Sequence, residues 1–175
     1  GGPRYNTSYI QCTGLGTITD SLSVLKKHVF EERKFNMEQI IHATDTNFEG
    51  QEAMRQFILN VPLSSVTMTN MQTASPSRSL TTFTMPSRES RTPKAKCFHL
   101  NMLSTTCHVY FGKMMNATPN GRLAGRAISD GTSPSHGADT HGPSAVIKSL
   151  GKLDQVKSGG TLLNQRFLPS LLKHD

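Results

Sequence analysis

The chain has 175 residues, 35% of them hydrophobic, and a formal charge of +7, which suffices for one domain with a sizeable core. It contains no apolar run of the roughly 18–20 residues that a membrane-spanning helix needs and no basic, apolar leader, so a soluble cytoplasmic protein without membrane contact is expected. Its three cysteines are too few and odd in number for a disulfide scaffold and fit a reducing compartment, and the opening Gly1-Gly2-Pro3, without methionine, reads as a chain cut from something longer.

Residues 5–12, from Tyr5 to Cys12, read as a short strand ending at a Gly14-Leu15-Gly16 turn. Thr17 is expected to cap a helix whose apolar positions Ile18, Leu22, Leu25 and Val29 recur at helical spacing. Lys26, Lys27 and His28 fall in its last turns, where cations favour the negative end of the dipole. A second helix starts at Asn36, with Gln39 as capping-box partner and Met37, Ile40 and Ile41 apolar. A third, from Gln51 to Leu59, places Met54, Phe57 and Ile58 on one side.

From Val61 to Lys96 the character changes: half of the residues are Ser, Thr or Pro, and Arg78, Arg88, Arg91, Lys94 and Lys96 face a single anion, Glu89. This composition, without periodicity, reads as a disordered linker. Most of the basic charge that would favour nucleic acid lies here, but the segment lacks stacking aromatics and a groove-entering helix.

Order returns at Phe98. Residues 99–111 read as a long strand with polar and apolar residues on both faces, as expected where one face lines a cavity, and Leu103, Thr105 and Cys107 share a face at period two. Thr118-Pro119-Asn120-Gly121 is a turn, and an irregular Gly-rich stretch runs to Gly142. Pro143 suits the first position of a helix carrying Val146, Ile147 and Leu150 and stopping near Gly151. After Gly159-Gly160, residues 161–168 read as a buried strand. Strands and helices alternate, so the fold class is α/β.

Three local motifs fail on chemistry. Gly14-x-Gly16 sits between strand and helix as a dinucleotide loop would, but Thr19 stands where the third glycine belongs. His136, Asp139 and His141 are ligand types in a loop without a fourth ligand, so no metal is expected. Cys107 and His108 are adjacent on the expected strand and face opposite ways, which excludes a nucleophile–base pair.

Several stretches carry a family resemblance: Gly1-Gly2-Pro3-Arg4-Tyr5-Asn6, Thr17-Ile18-Thr19-Asp20-Ser21-Leu22, the run from Asn101 to Gly112, Thr118-Pro119-Asn120-Gly121-Arg122, Gly137-Ala138-Asp139, Gly142-Pro143-Ser144-Ala145-Val146 and Gly159-Gly160-Thr161-Leu162-Leu163-Asn164. In order and spacing the chain resembles glycyl radical enzymes of the pyruvate formate-lyase superfamily, and within it the dehydratase-like branch that includes hydroxyproline dehydratase. Residues 61–96 are the exception. Thr67 to Thr73 can be encoded so that the next phase reads Asp-Asp-Glu-Tyr-Ala-Asp, and Glu89 to Lys96 so that the same phase reads Val-Pro-Asn-Thr-Lys-Gly-Glu; both resemble what the family carries here. A frameshift entering near residue 60 and corrected near 96 is therefore expected, and an intact reading frame across those codons would sink it.

The resemblance implies a fragment of a ten-stranded barrel made of two five-stranded half-sheets, with residues 1–60 and 97–175 as barrel segments that end before the glycine radical domain. It implies a parent that is a radical C–O or C–C lyase or dehydratase of a small hydroxylated or amino-acid-derived substrate, or alternatively a formate C-acetyltransferase; an inactive pseudogene product or a basic binding module are the readings from other classes. In this family a glycyl radical, installed by a separate S-adenosylmethionine iron–sulfur activating enzyme, generates a thiyl radical on a cysteine. The Gly-Cys-Val-Glu-type and Arg-Val-Ala-Gly-Tyr-type motifs that carry them are not among these residues, and none of Cys12, Cys97 and Cys107 is followed by an acidic partner. No catalytic residue is therefore expected in this chain, which alone should be inactive, and a homodimeric parent is implied.

By the same resemblance Leu103, Thr105 and Cys107 border the substrate, Thr105 holding a hydroxyl or carboxylate and Leu103 supplying an apolar wall. The three read equally as ordinary strand-core positions, with Cys107 buried and inert. Arg4, Tyr5 and Asn6 support the barrel mouth or make structural hydrogen bonds, and Arg122 is expected to pair with a carboxylate.

Overall fold

The computed structural model describes residues 8–60, 98–151, 153, 155 and 158–167. The expectations for Arg4, Tyr5, Asn6, Cys97 and residues 61–96 lie outside the described residues.

Strand β1 (Ser8–Gln11) pairs in parallel with β2 (Phe98–Asn101), Ser8 opposite Phe98 and Gln11 opposite Asn101. The ladder continues one residue further, where the Cys12 N–H donates to the Asn101 carbonyl at 2.7 Å. Along the other edge of β2 run residues 159–162: Gly159 N–H donates to Leu100 O, Met102 N–H to Gly160 O, and Met102 bridges Thr161 in parallel. Leu100 and Met102 are buried beneath this arrangement. Among the described residues 161–167, the strand expected over 161–168 thus reduces to one bridge at Thr161, and Gln165, Arg166 and Phe167 are exposed.

Helix α1 (Leu15–Val24) begins after Gly14, whose φ of 83° bends the chain out of β1. Thr17 does not cap it; the N-cap position is held by Gly14, which makes no side-chain cap. Of the apolar positions expected to face inward, Leu25 and Val29 beyond its end do pack against the core, but within α1 the buried face is the reverse of the expected one. Ile18 and Leu22 are 52% and 47% exposed, whereas Thr17, Thr19, Asp20, Ser21 and Ser23 are buried. The hydroxyls of Thr19, Ser21 and Ser23 donate to the carbonyls of Leu15, Thr17 and Thr19, so the buried hydroxyls are satisfied within the helix itself. The helix is oriented by its docking on residues 128–135, described below.

At Leu25 the helix widens into a π-helical stretch, Leu25–Glu31. His28 in its centre is 1% exposed, with Nδ1 2.7 Å from Glu32 Oε2 and its ring edge-on to Phe35 and Phe57. Lys34 Nζ stands 3.3 Å above the Phe57 ring, a cation–π contact on the outer face of this cluster.

Helix α2 (Met37–Asp45) starts with the expected capping box: Asn36 Oδ1 accepts from Gln39 N–H at 2.7 Å and Gln39 Oε1 from Asn36 N–H at 2.9 Å. It ends where Asn47 and Phe48 both take positive φ, which turns the Phe48 ring back inward to 2% exposure. Helix α3 (Glu52–Asn60) follows. Val24, Ile40, Ala43, Phe48, Ile58 and Ala117 form the main core, with Leu25, Val29, Phe35, Met54 and Leu123 packed against it.

Helix α4 (Cys107–Met114) replaces the second half of the long strand expected over 99–111. The β-formers Val109, Tyr110 and Phe111 are all at least 40% exposed on it, so local propensity was overridden by tertiary placement. Gly112, the buried residue of α4, fixes that placement: a Cβ there would collide with the backbone of Arg126 and Ala127. The turn at Thr118 to Gly121 is closed by Gly121 N–H to Thr118 O. Among the described residues Arg122 pairs with no carboxylate. It donates to the carbonyls of Gly112, Asn116, Leu123 and Arg126 and to the Thr118 hydroxyl, and burial holds its pKa below the ordinary arginine value. Helix α5 (Pro143–Leu150) has proline in its first turn and stops at Gly151.

Candidate functional site

The carboxyl ends of β1 and β2 lie side by side, which is where parallel strands present ligand-facing loops. After Asn101 the chain passes through Met102 and Ser104 into a turn at Thr105, which has a φ of 49°, and then enters α4. Leu103, Thr105 and Cys107 therefore do not share a strand face, as period-two spacing had implied; they wrap around a turn. Thr105 is exposed, while Leu103 and Cys107 are half-buried, so Cys107 is not the enclosed thiol expected. The turn still brings Thr105 and Cys107 together. Thr105 Oγ1 donates to Ser104 O at 2.8 Å and lies 4.0 Å from Cys107 Sγ, which is 3.9 Å from Gln11 Oε1.

Gln11 was not legible as a member of this group. Only the register that sets Gln11 opposite Asn101 brings it there.

Beneath the turn lies a polar network. Ser104 is fully buried; its hydroxyl donates to Asp130 Oδ1 and accepts the Gly131 N–H at 2.8 Å. The Asn164 side-chain amide donates to Asp130 Oδ2. His108 Nδ1 faces Asp130 Oδ1 at 3.6 Å, too far for a hydrogen bond. His108 is thus directed at a carboxylate from a helix, and it makes no pair with Cys107.

Residues 128–135 also dock on the start of α1. Gly14 N–H donates to Ser129 O, and Thr17 and Ser129 exchange two hydrogen bonds. A Cβ on Gly16 would stand 2.5 Å from the Ser133 carbonyl oxygen. The space a dinucleotide loop would offer to phosphate is occupied by this chain's own backbone.

A cavity of about 790 Å³ opens beside α1, lined among others by Asp20, Arg55, Asn120, Arg122, Arg126 and His136. A smaller apolar one lies between α1 and α5. Neither is lined by Leu103, Thr105 or Cys107. Among the described residues no three His, Cys, Asp or Glu side chains are placed to hold a metal ion, so His136, Asp139 and His141 form no such set. No described helix is long and apolar enough to cross a membrane. Cys12, half-buried at the end of β1, has its thiol pKa pushed up by desolvation.

Comparison with known proteins gives this geometry a context. Residues 1–112 match the family described as pyruvate formate lyase-like, and residues 128–175 match the family described as glycine radical. The second match starts inside the span read above as a lyase-like barrel segment. The chain is 46% identical to trans-4-hydroxy-L-proline dehydratase of Clostridioides difficile over 99% of its own length and 22% of that protein. It is 36% identical to isethionate sulfite-lyase of Oleidesulfovibrio alaskensis over 97% of its length and 21% of that one. The crystal structure of the C. difficile hydroxyproline dehydratase with trans-4-hydroxy-L-proline bound superposes with a TM-score of 0.86 at 44% identity, covering all of this chain and 22% of that one. The chain thus spans about a fifth of the length of these relatives, and its α/β fold is a piece of the larger glycyl radical enzyme barrel.

Proposed function

This chain belongs to the pyruvate formate lyase-like family, and on that premise we propose that the protein containing it is a glycyl radical lyase or dehydratase of a small hydroxylated or amino-acid-derived substrate. The observation that carries this is the succession of two family matches, lyase-like and then glycine radical, along one chain, together with its similarity to a dehydratase and a sulfite-lyase over nearly its whole length.

Glycyl radical enzymes take their radical from a separate activating enzyme; for this protein we assign that role to an S-adenosylmethionine iron–sulfur enzyme, and we expect a cytoplasmic homodimer. The radical supplies hydrogen abstraction. These 175 residues contain neither the cysteine motif nor the glycine motif that would take part, so no abstraction step passes through Cys12, Cys97 or Cys107.

What this segment contributes is a wall. We assign Leu103, Thr105 and Cys107 to the substrate side. In support, the Thr105 hydroxyl, the Cys107 thiol and the Gln11 amide converge at the carboxyl ends of the parallel pair. Thr105 offers a hydroxyl that can donate or accept, suited to a substrate hydroxyl or carboxylate, and Leu103 an apolar surface.

The test is anaerobic activation of the full-length protein with a radical-forming activating enzyme, read by electron paramagnetic resonance and by product analysis. A glycyl signal with turnover of a hydroxylated substrate is expected. Formate release from pyruvate and coenzyme A would replace the reading with an acetyltransferase, and absence of any radical signal would overturn both.

A further inference from the structure

We propose that Ser104 and Asp130 are positioning residues that hold Thr105 in its left-handed conformation and so set the substrate-facing turn; this rests on the assignment of Thr105 to the substrate side made above. Thr105 is β-branched with a φ of 49°. Such a residue rarely adopts this region, and does so only where its surroundings impose it.

The imposing contacts run through one residue. The Ser104 hydroxyl, wholly shielded from solvent, donates to Asp130 Oδ1 and accepts from Gly131 N–H. Its single donor and one of its acceptor positions are thereby engaged from below. Its carbonyl faces the other way and accepts both the Thr105 hydroxyl and the Cys107 N–H at 2.8 Å. Ser104 thus couples the buried network to the exposed turn. Asp130 is held in turn by Asn164 on its second oxygen, and its loop is tied to α1 through Ser129 and Thr17.

Removing the Ser104 hydroxyl leaves the Gly131 N–H without its acceptor and takes from Asp130 Oδ1 its donor, with His108 Nδ1 standing off at 3.6 Å. The turn then has nothing beneath it to impose the left-handed residue, and the Thr105 hydroxyl moves. The reacting atoms are not touched. The effect therefore belongs in substrate binding rather than in the chemical step.

The experiment uses the full-length activated protein, with rates normalised to glycyl radical content, and compares Ser104→Ala, Asp130→Asn, Thr105→Val and the Ser104→Ala/Thr105→Val double variant. Asp130→Asn keeps an acceptor oxygen for Ser104 and carries the test if Ser104→Ala does not accumulate a radical. We expect KM to rise about tenfold in Ser104→Ala and Thr105→Val, the loss of about one charge-assisted hydrogen bond. A smaller rise is expected in Asp130→Asn, with kcat little changed throughout. The double variant should be no worse than Thr105→Val alone, because Ser104 acts through Thr105. Additive effects, or a fall in kcat at constant KM, overturn the positioning role. A raised KM in Thr105→Val with none in Ser104→Ala and Asp130→Asn does the same while leaving Thr105 on the substrate side. An unchanged KM in Thr105→Val removes the underlying assignment instead.

Discussion

Thr17 and Ser129, 112 residues apart, exchange hydrogen bonds: the Thr17 N–H donates to Ser129 Oγ at 3.0 Å and the Ser129 N–H donates to Thr17 Oγ1 at 2.9 Å. Both residues are buried. One side chain satisfies an otherwise unpaired amide in the first turn of α1, and the other anchors the loop that carries Asp130.

Breaking this exchange should loosen both segments together. Ser129→Ala leaves the Thr17 amide buried without an acceptor, a cost of about 1–3 kcal/mol. Amide hydrogen exchange at Thr17 should speed up by tenfold or more, with Gly131 accelerating alongside it. Exchange unchanged at Thr17 would show that the pair contributes nothing to local stability.

Arg122 should resist its usual replacement. A guanidinium spans four carbonyls and a hydroxyl here, whereas a lysine ammonium is a compact head with three donors. Arg122→Lys is expected to weaken residues 115–127 by about 2–3 kcal/mol, read as faster limited proteolysis within that loop. Wild-type resistance in Arg122→Lys would refute the claim.

His28 is expected to be replaceable by a hydrocarbon. Its Nε2 is buried without a hydrogen-bond partner, among Phe35 and Phe57. His28→Leu removes that unpaired atom and keeps most of the volume, so local opening of α2 and α3 by hydrogen exchange should stay within about 1 kcal/mol of the parent. His28→Ala should cost about 3 kcal/mol through the space it leaves. A leucine variant as weak as the alanine one would mean that the bond to Glu32 dominates.

Cys12 supplies the pH dependence. Burial raises its thiol pKa above the ordinary 9.0, so the folded state favours the protonated form more than the unfolded state does. That preference contributes fully below 9.0 and is lost as pH rises through the folded value. Alkylation of Cys12 should therefore lag behind that of a model thiol at pH 9 and catch up only at higher pH. Equal rates at pH 9 would contradict it.

The sequence was readable where the signal was local. The Asn36–Gln39 capping box and the Pro143 helix start follow from nearest-neighbour chemistry and appear as expected. Helix α4 was misread because Val109, Tyr110 and Phe111 favour strands, while the tight fit of Gly112 against Arg126 and Ala127 decides the conformation. Helix α1 was located correctly but faced wrongly, since apolar Ile18 and Leu22 are exposed and its hydroxyls turn inward. In the candidate site, Leu103, Thr105 and Cys107 came from resemblance, and the structure groups Thr105 and Cys107 with a residue, Gln11, that only strand register could supply. Ser104 and Asp130 were invisible because small polar residues carry no periodic signal.

The parallel pairing of β1 with β2 also sets an order of events during synthesis. Ser8 waits for Phe98, roughly ninety positions later, which at about 5–20 residues per second is on the order of 5–20 s of translation. Throughout that interval β1 lacks its β2 neighbour, and Tyr9 and Ile10 are half-exposed even once it is paired. Nascent chains halted before β2 clears the ribosome should thus be cut rapidly within residues 8–11, and chains halted after it should not. Early protection of those residues would show that β1 finds cover without β2.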